Sequence, residues 1–458
     1  MVHRIDVHRL ADEATWNRFH TTVLVWCFVI IVFDGYDLAV GGIALPNIMK
    51  DMAVDATQAG FMLSSALFGM MFGAMGLGWV ADRYGRRVGL SLSVLFFSVF
   101  TAAAGFTSDP VTFSVMRFLA GLGIGGAIPA AAAQITEYSP KKVRGMIFTV
   151  MTCGYAVGSI LAAVLGKTLI DAYGWQTVFI AAGLPVLLIP FIMKYMPESL
   201  PFLIKHRDDA HLREVVGKIR PGLKLGPQEE FLVPDEDKAA GAPVARLFQE
   251  GRGFSTAMFW IAYITCLFML YALSSWLVKL MAMAGYSLGS ALNFLLAFNS
   301  GAIVGAIGGG WLSDKLNIKW VLFCGFLTAA VSLTALGYGV QPLLLVVAVV
   351  GASTLGTQIL AYAYTAQFYP AAIRSTGVGF ASGIGRFGAI AGPIGIGVLV
   401  SLNLSLQQNF MVIAAVGLVG AVAVALINHR RSASTQDQDT TKPVVAVAVA
   451  AGAPATRN

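Results

Sequence analysis

The sequence predicts an all-α integral membrane protein: twelve transmembrane helices in two pseudo-symmetric six-helix bundles. Three observations predict it. Apolar residues make up 57% of the 458 and charged residues 12%, about half the charge usual in a soluble domain, and mean hydropathy is +0.73. Glycine occurs 50 times, and Gly is more frequent in membrane helices than in soluble ones. The apolar runs fall into two sets of six, separated by the one long hydrophilic stretch inside the chain. Length alone would allow several soluble domains; composition excludes them.

A bilayer core requires ~20 apolar residues per helix. Residues 1–21 form a polar arm of mixed charge, and the run after it is too long for a signal-peptide core and lacks a clear cleavage site. Spans at 22–46, 57–80, 88–107, 110–138, 143–169 and 175–196 build a first bundle over 22–197. Residues 198–253 then carry basic residues from Lys205 to Lys224 and an acidic run through Glu229, Glu230 and Asp235 to Asp237. They read as an amphipathic, partly disordered linker. Spans at 254–281, 288–312, 319–339, 342–368, 373–401 and 405–428 build the second bundle over 254–428. The tail 429–458 is Ser/Thr/Gln-rich and then Ala/Val-rich, the composition of a disordered segment.

The net charge of +7 is topological. With the N-terminus in the cytoplasm, Lys and Arg gather on the inside, in the arm, at Arg83, Arg86 and Arg87, at Lys141, Lys142 and Arg144, in the linker and in the tail. Only Lys50, Lys167 and Lys279 fall on the outer side. This positive-inside bias predicts both termini in the cytoplasm, and no nucleic-acid partner is needed. The four cysteines stand singly in apolar runs, without metal-ligand or disulfide spacing, and read as packing residues. No metal or cofactor is expected.

An internal repeat supports two halves. Gly78-Trp79-Val80-Ala81-Asp82-Arg83 recurs as Gly310-Trp311-Leu312-Ser313-Asp314-Lys315, and Tyr138-Ser139-Pro140 with Arg144 recurs as Tyr369-Pro370 with Arg374. Parallel-repeat halves are an architecture of secondary transporters, which hold substrate between the halves near the midplane.

The run Gly78-Trp79-Val80-Ala81-Asp82-Arg83-Tyr84-Gly85-Arg86-Arg87 resembles the loop signature between helices 2 and 3 of the major facilitator superfamily. The resemblance implies a gate at the cytoplasmic helix ends, in which Gly78, Asp82, Arg83, Gly85, Arg86 and Arg87 act with Glu137 and Arg144, and with Asp314 and Arg374 in the second half. Its carboxylates and guanidinium groups would pair in one state and release in the other. Within the superfamily, Asp34-Gly35-Tyr36-Asp37 resembles the signature of the aromatic acid:proton symporter family. The arm residues Arg4 to His8 and Asn17 to His20, with Arg117 to Gly126, resemble its benzoate transporters. One departure is Val278, where relatives commonly have Pro. The resemblance implies a bacterial inner membrane, a small aromatic carboxylate and protons as partners beside the lipid bilayer, and a monomer.

The residues themselves sharpen this. Clear of the interfaces, only Asp34, Asp37, Arg117 and Arg386 lie within the spans among the Asp, Glu, Lys, Arg and His residues. A charge at mid-bilayer costs at least ~2.5–3.5 kcal/mol on insertion scales, which makes these four functional candidates. Asp34 and Asp37 share a helix face at i,i+3, and Arg117 can meet them in the outer half of the first bundle. No histidine lies deep in a span, so protons, if coupled, ride on an aspartate. Protonation of Asp34 or Asp37 is then expected to free Arg117; a static buried pair is the plainer reading. Arg386 is the expected partner of a substrate carboxylate, because a guanidinium fork suits bidentate pairing.

An aromatic acid also needs an apolar slot, for which Tyr36, Tyr155, Trp276, Phe298, Asn299 and Gln358 are the first candidates, with Tyr263, Tyr271, Tyr362, Tyr364 and Asn293 beside them. Gly121 to Gly126 formally matches GxGxxG but lies mid-helix, where small residues serve close helix approach. No phosphate-binding loop or catalytic constellation is present, so neither an enzyme nor an ATP-driven pump is expected. A proton-coupled exporter is disfavoured because the fifth span lacks a Gly-Pro pair. The alternatives are a symporter for another small organic carboxylate and a non-transporting membrane sensor.

Overall fold

The computed structural model describes residues 4–221, 230–232 and 244–432; the side chain of Asp314 and the tail beyond residue 432 lie outside the described residues. A short strand β1 (Arg4–Asp6) and helix α1 (Val7–Asp12) precede the spans. The first half contains α2 (Arg18–Asp51), α3 (Ala56–Tyr84), α4 (Arg86–Ala104), α5 (Pro110–Tyr138) and α6 (Arg144–Tyr173), then α7 (Gln176–Ala181) and α8 (Ile189–Tyr195). Helices α9 (Leu200–Lys205) and α10 (Asp209–Ile219) and strand β2 (Glu230–Leu232) lie in the connector. The second half contains α11 (Gly253–Met283), α12 (Leu288–Lys315), α13 (Ile318–Gly337), α14 (Leu343–Phe368), α15 (Ala371–Ser401) and α16 (Leu406–Leu426). Twelve of the described segments are long and apolar enough to cross a membrane, close to the runs read from the sequence.

The helices start where short polar side chains can serve the unpaired N–H groups of the first turn. Asn17, Asp55, Asp109, Ser287, Asn317 and Ser405 each accept such bonds at the N-caps. The sixth span is divided. A 3-10 stretch at Leu184–Leu188 separates α7 from α8, with Pro185 and Pro190 in its neighbourhood, because proline removes the N–H that an α ladder needs.

Within each half the helices touch backbone to backbone. A Cβ placed on Gly69, Gly73, Gly121 or Gly125 would stand 2.0–2.1 Å from a carbonyl oxygen across the α3–α5 seam. Gly301, Gly305 and Gly351 do the same between α12 and α14, at 1.8–2.0 Å. The small-residue run in α5 is therefore a packing surface, in a membrane helix where close approach replaces hydrophobic driving force. Pairs α2–α6 and α11–α15 complete the symmetry: Gly158 abuts Val32, and Gly388 abuts Ile264.

The halves meet on the face away from the arm. There α3 and α15 run antiparallel, Thr57 Oγ1 donating to Ser401 Oγ at 3.0 Å, Gly60 against Pro393, and Ser64 Oγ donating to the Ile390 carbonyl at 2.9 Å. Lys167 Nζ of α6 donates to Asn293 Oδ1 of α12 at 3.2 Å, and Gly42 of α2 abuts Ser274 and Ser275 of α11. Helical spacing carries these stripes toward the arm face through Met75, Gly78, Gly145, Ile307, Gly310, Gly379 and Gly383. Met75 is 63% exposed, and a Cβ added at any of those five glycines would meet nothing within 4 Å from elsewhere in the fold. The contacts named between the halves thus lie toward the face away from the arm, and the same stripes are exposed toward the arm face.

Candidate functional site

The four intramembrane charges separate into two centres. In the first, Arg117 of α5 donates through Nη1 to Asp37 Oδ1 at 2.8 Å and to Thr101 Oγ1 at 2.9 Å, and through Nη2 to the Asp37 carbonyl at 3.1 Å. Its guanidinium carbon lies 5.8 Å from the Phe179 ring centre. Both charged side chains are buried, 3% and 1% exposed, so water screens their attraction little. The i,i+3 spacing does not bring Asp34 into this pair.

Asp34 belongs to the second centre. It is fully buried, and neither carboxylate oxygen has a hydrogen-bond partner. The charges that act on it are Asp37, on its own helix, and Arg386, from α15 of the other half. Arg386 is half-buried and donates through Nη1 to Met70 Sδ of α3 at 3.0 Å. The Tyr271 hydroxyl faces the same guanidinium, with Tyr362 close by. Tyr155, packed by its backbone against Gly35, faces Asp34, Arg386 and Tyr271. A small cavity links the two centres, lined by Leu63 and Leu67 of α3, by Arg117, by Tyr155, and by Tyr271 and Ser274 of α11. Its walls come from both halves.

The structure assigns different work to several residues expected at a slot. Tyr36 Oη donates to the Val178 carbonyl at 2.8 Å, and Trp276 Nε1 donates to the Pro393 carbonyl at 2.9 Å. Asn299 Nδ2 donates to the Leu295 carbonyl at 2.9 Å on its own helix, and Phe298 is buried under Gly351. Tyr36 and Trp276 thus tie neighbouring helices together, because a buried donor takes a carbonyl within reach, while Asn299 bonds back to its own helix and Phe298 packs against Gly351. Gln358 is half-buried on α14. Asn293 and Lys167 join the halves on the face away from the arm, and Tyr364 bonds His429 at 3.2 Å. Burial, and then the charge of Lys319, hold His429 below its ordinary value. Tyr263 lies ring-to-ring with Tyr362, 5.3 Å between centres.

At the arm face the signature loop is paired inside its own half. Asp82 binds Arg86 at 3.1 Å, Arg83 lies over the Trp79 and Tyr84 rings, and Gly85 takes φ +100°, a conformation suited to glycine. The main-chain N–H groups of Arg86 and Arg87 donate to Glu198, and that of Leu200 donates to Glu137. Glu137 thus caps α9, with the charge of Arg86 from the basic cluster acting on it. Arg144 binds Asp12 and the Ser139 carbonyl, and Arg374 is exposed. Asn17 donates to the carbonyls of Lys218 and Ile219, and β1 pairs in parallel with β2. The cluster therefore fastens the arm and the connector to the first half. Thr101, Met70 and Glu198 were not singled out by the sequence: a Thr or Met inside an apolar run carries no pattern, and Glu198 reads as linker.

Residues 27–319 and 294–454 match the family model of the Major Facilitator Superfamily. The chain is 42% identical over 439 residues to the benzoate transport protein of Acinetobacter baylyi, covering 94% of each chain. It is 33% identical to a 4-hydroxybenzoate transporter of Pseudomonas putida, covering 93% of this chain and 97% of that one. A gallate transporter of the same species is 32% identical, with 94% and 97% covered. Among solved structures, the xylose transporter of E. coli in a partially occluded inward-open conformation matches with a TM-score of 0.70 at 16% identity, covering 88% of this chain and 98% of that one. A bacterial homologue of the lysosomal transporter Spinster, inward-facing, matches with a TM-score of 0.68 at 17% identity, with 92% and 99% covered.

Proposed function

The chain belongs to the Major Facilitator Superfamily, and from that premise we propose that it imports benzoate or a hydroxylated relative together with protons. It is an aromatic carboxylate transporter and not an enzyme. In this reading it lies in a bacterial cell membrane with the arm face in the cytoplasm, so the described conformation is the one that releases substrate.

The observation that carries the coupling is the placement of an unpartnered, buried Asp34 opposite Arg386 across the junction of the halves. A carboxylate substrate pairs with Arg386 through a charge-assisted fork. An ionised Asp34 competes for that guanidinium and repels the substrate's charge; a protonated Asp34 does neither. Substrate and proton are therefore held best together. Once the arm face is open, loss of the proton to the cytoplasm restores the Asp34 charge and drives the carboxylate off Arg386. Tyr155, Tyr271 and Tyr362 supply the aromatic wall. Asp37 and Arg117 brace α2 against α5 as a standing pair, and opening and closing occur between the halves.

Uptake of labelled benzoate into proteoliposomes tests this reading. An inward proton gradient is expected to accelerate uptake and drive accumulation. Gradient-insensitive uptake overturns the coupling, and absence of uptake for every aromatic acid tried overturns the substrate class.

A further inference from the structure

Arg386 is a half-buried cation that the Tyr271 hydroxyl faces and that has one weak ligand from the opposite half. Its Nη1 donates to the Met70 thioether at 3.0 Å, and sulfur in a thioether is a weak acceptor. Met70 is itself 1% exposed and stands on α3, in the opposite half from Arg386 on α15. It lies at the end of the α3–α15 contact row that begins at Thr57 and Ser401 and continues through Gly60 with Pro393 and Ser64 with Ile390. Beyond it, toward the arm face, a Cβ added at Gly383 or Gly379 would meet nothing within 4 Å. Of these named contacts between the two helices, Met70–Arg386 is the rung nearest the arm face.

We propose that Met70 is a displaceable placeholder on Arg386, occupying a donor direction that the substrate carboxylate takes over, and that it thereby sets anion affinity and loosens that rung when substrate arrives. This rests on the reading of Arg386 as the carboxylate partner. The chemistry follows from acceptor strength. A guanidinium with no acceptor would pay the full cost of buried, unsatisfied N–H groups. One already bound to a carboxylate or amide oxygen would leave an incoming anion little to gain. A thioether holds the fork in position across the interface without neutralising its charge, which stays available to an incoming carboxylate when Asp34 is protonated. The same side chain is also flexible enough to withdraw, with three rotatable bonds.

The test is equilibrium binding of labelled benzoate to purified full-length protein in detergent, comparing wild type with Met70→Leu, Met70→Gln and Arg386→Gln, with benzamide as a competitor lacking the charge. Met70→Leu keeps the apolar volume and removes the acceptor, and is expected to bind benzoate roughly threefold more tightly. Met70→Gln keeps the length and presents an amide oxygen, and is expected to bind roughly tenfold more weakly, with competition by benzamide unchanged. Equal weakening by Leu and Gln would make Met70 a packing residue only and overturn the proposal. So would wild-type affinity in Met70→Gln. Arg386→Gln binding benzoate normally would overturn the underlying reading of Arg386, a separate result. Thermal unfolding of each variant confirms that the comparison is made on folded protein.

Discussion

Converting Asp34 and Asp37 to asparagine one at a time should give two different defects, although the residues stand three apart on one helix. Asp37→Asn breaks a buried ion pair of 2.8 Å whose members are 3% and 1% exposed. Removing one partner of such a pair costs about 3–5 kcal/mol, because the other charge stays behind unmatched. Here the Arg117 bonds to Thr101 Oγ1 and to the Asp37 carbonyl survive, and the amide can still accept, which places the loss near ~3 kcal/mol. Asp34→Asn has no such bond to lose, since both its oxygens are without a partner. Its cost is that of one buried neutral amide, about 1 kcal/mol.

Thermal unfolding in detergent should therefore rank wild type and Asp34→Asn close together and Asp37→Asn well below. Transport should rank them otherwise. Asp34→Asn mimics the protonated acid, so it should bind benzoate at least as well as wild type and exchange it across the membrane. An inward proton gradient should no longer drive accumulation. Gradient-driven accumulation by Asp34→Asn would refute the assignment of the proton to that residue. An Asp37→Asn protein as stable as Asp34→Asn would refute the bracing role of the Arg117 pair.

A Thr57→Cys/Ser401→Cys pair, built where the two hydroxyls are 3.0 Å apart, should cross-link the halves on the face away from the arm on oxidation. Uptake should stop and return with reductant while benzoate binding from the arm face persists; uptake after complete cross-linking would refute alternation at this seam. Gly158→Ala would place a methyl 1.8 Å from the Val32 carbonyl oxygen, and such overpacking costs about 1–3 kcal/mol or more. Unfolding measurements on that variant should show the loss, and uptake should fall as α2 shifts; wild-type values for both would refute the close seam. His429, held below its ordinary 6.5 by burial and by Lys319, resists a proton that the unfolded chain accepts. Stability from this group is present above the unfolded value and lost as pH falls below it. Melting temperature should drop more steeply between about pH 7.5 and about pH 5.5 in wild type than in His429→Gln; parallel slopes would refute the contribution.

The spans were legible because a bilayer imposes length and apolarity on each helix separately, and the four interior charges were legible because each is costly there. Their pairing was not. Asp34 and Asp37 share a helix face, yet one meets Arg117 within its half and the other faces Arg386 across the junction, a choice set by helix crossings that no local pattern encodes. The aromatic candidates failed to separate for a related reason. Helices apolar all round have no polar stripe to mark their inward face, so Tyr36 and Trp276 looked equivalent to Tyr155 and Tyr271. Only the position of the Val178 and Pro393 carbonyls distinguishes an anchor from a wall. The division of the sixth span was written in Pro185 and Pro190, but an apolar run with prolines is also how a kinked single helix reads.

The empty stripes at Gly78, Gly379 and Gly383 make the arm-face gap a place where occupancy of a state can be tuned by volume alone. A methyl group added at any of them meets nothing in the conformation described, and in the proposed cycle it would collide when the halves come together there. Alanines at these positions would act as wedges, penalising one member of the conformational cycle and leaving the cation, the acids and the aromatic wall untouched. Each 1.4 kcal/mol of such a penalty is a tenfold change in resting population, so a graded series of wedges would convert transport rate into a measurement of how closely the two halves approach.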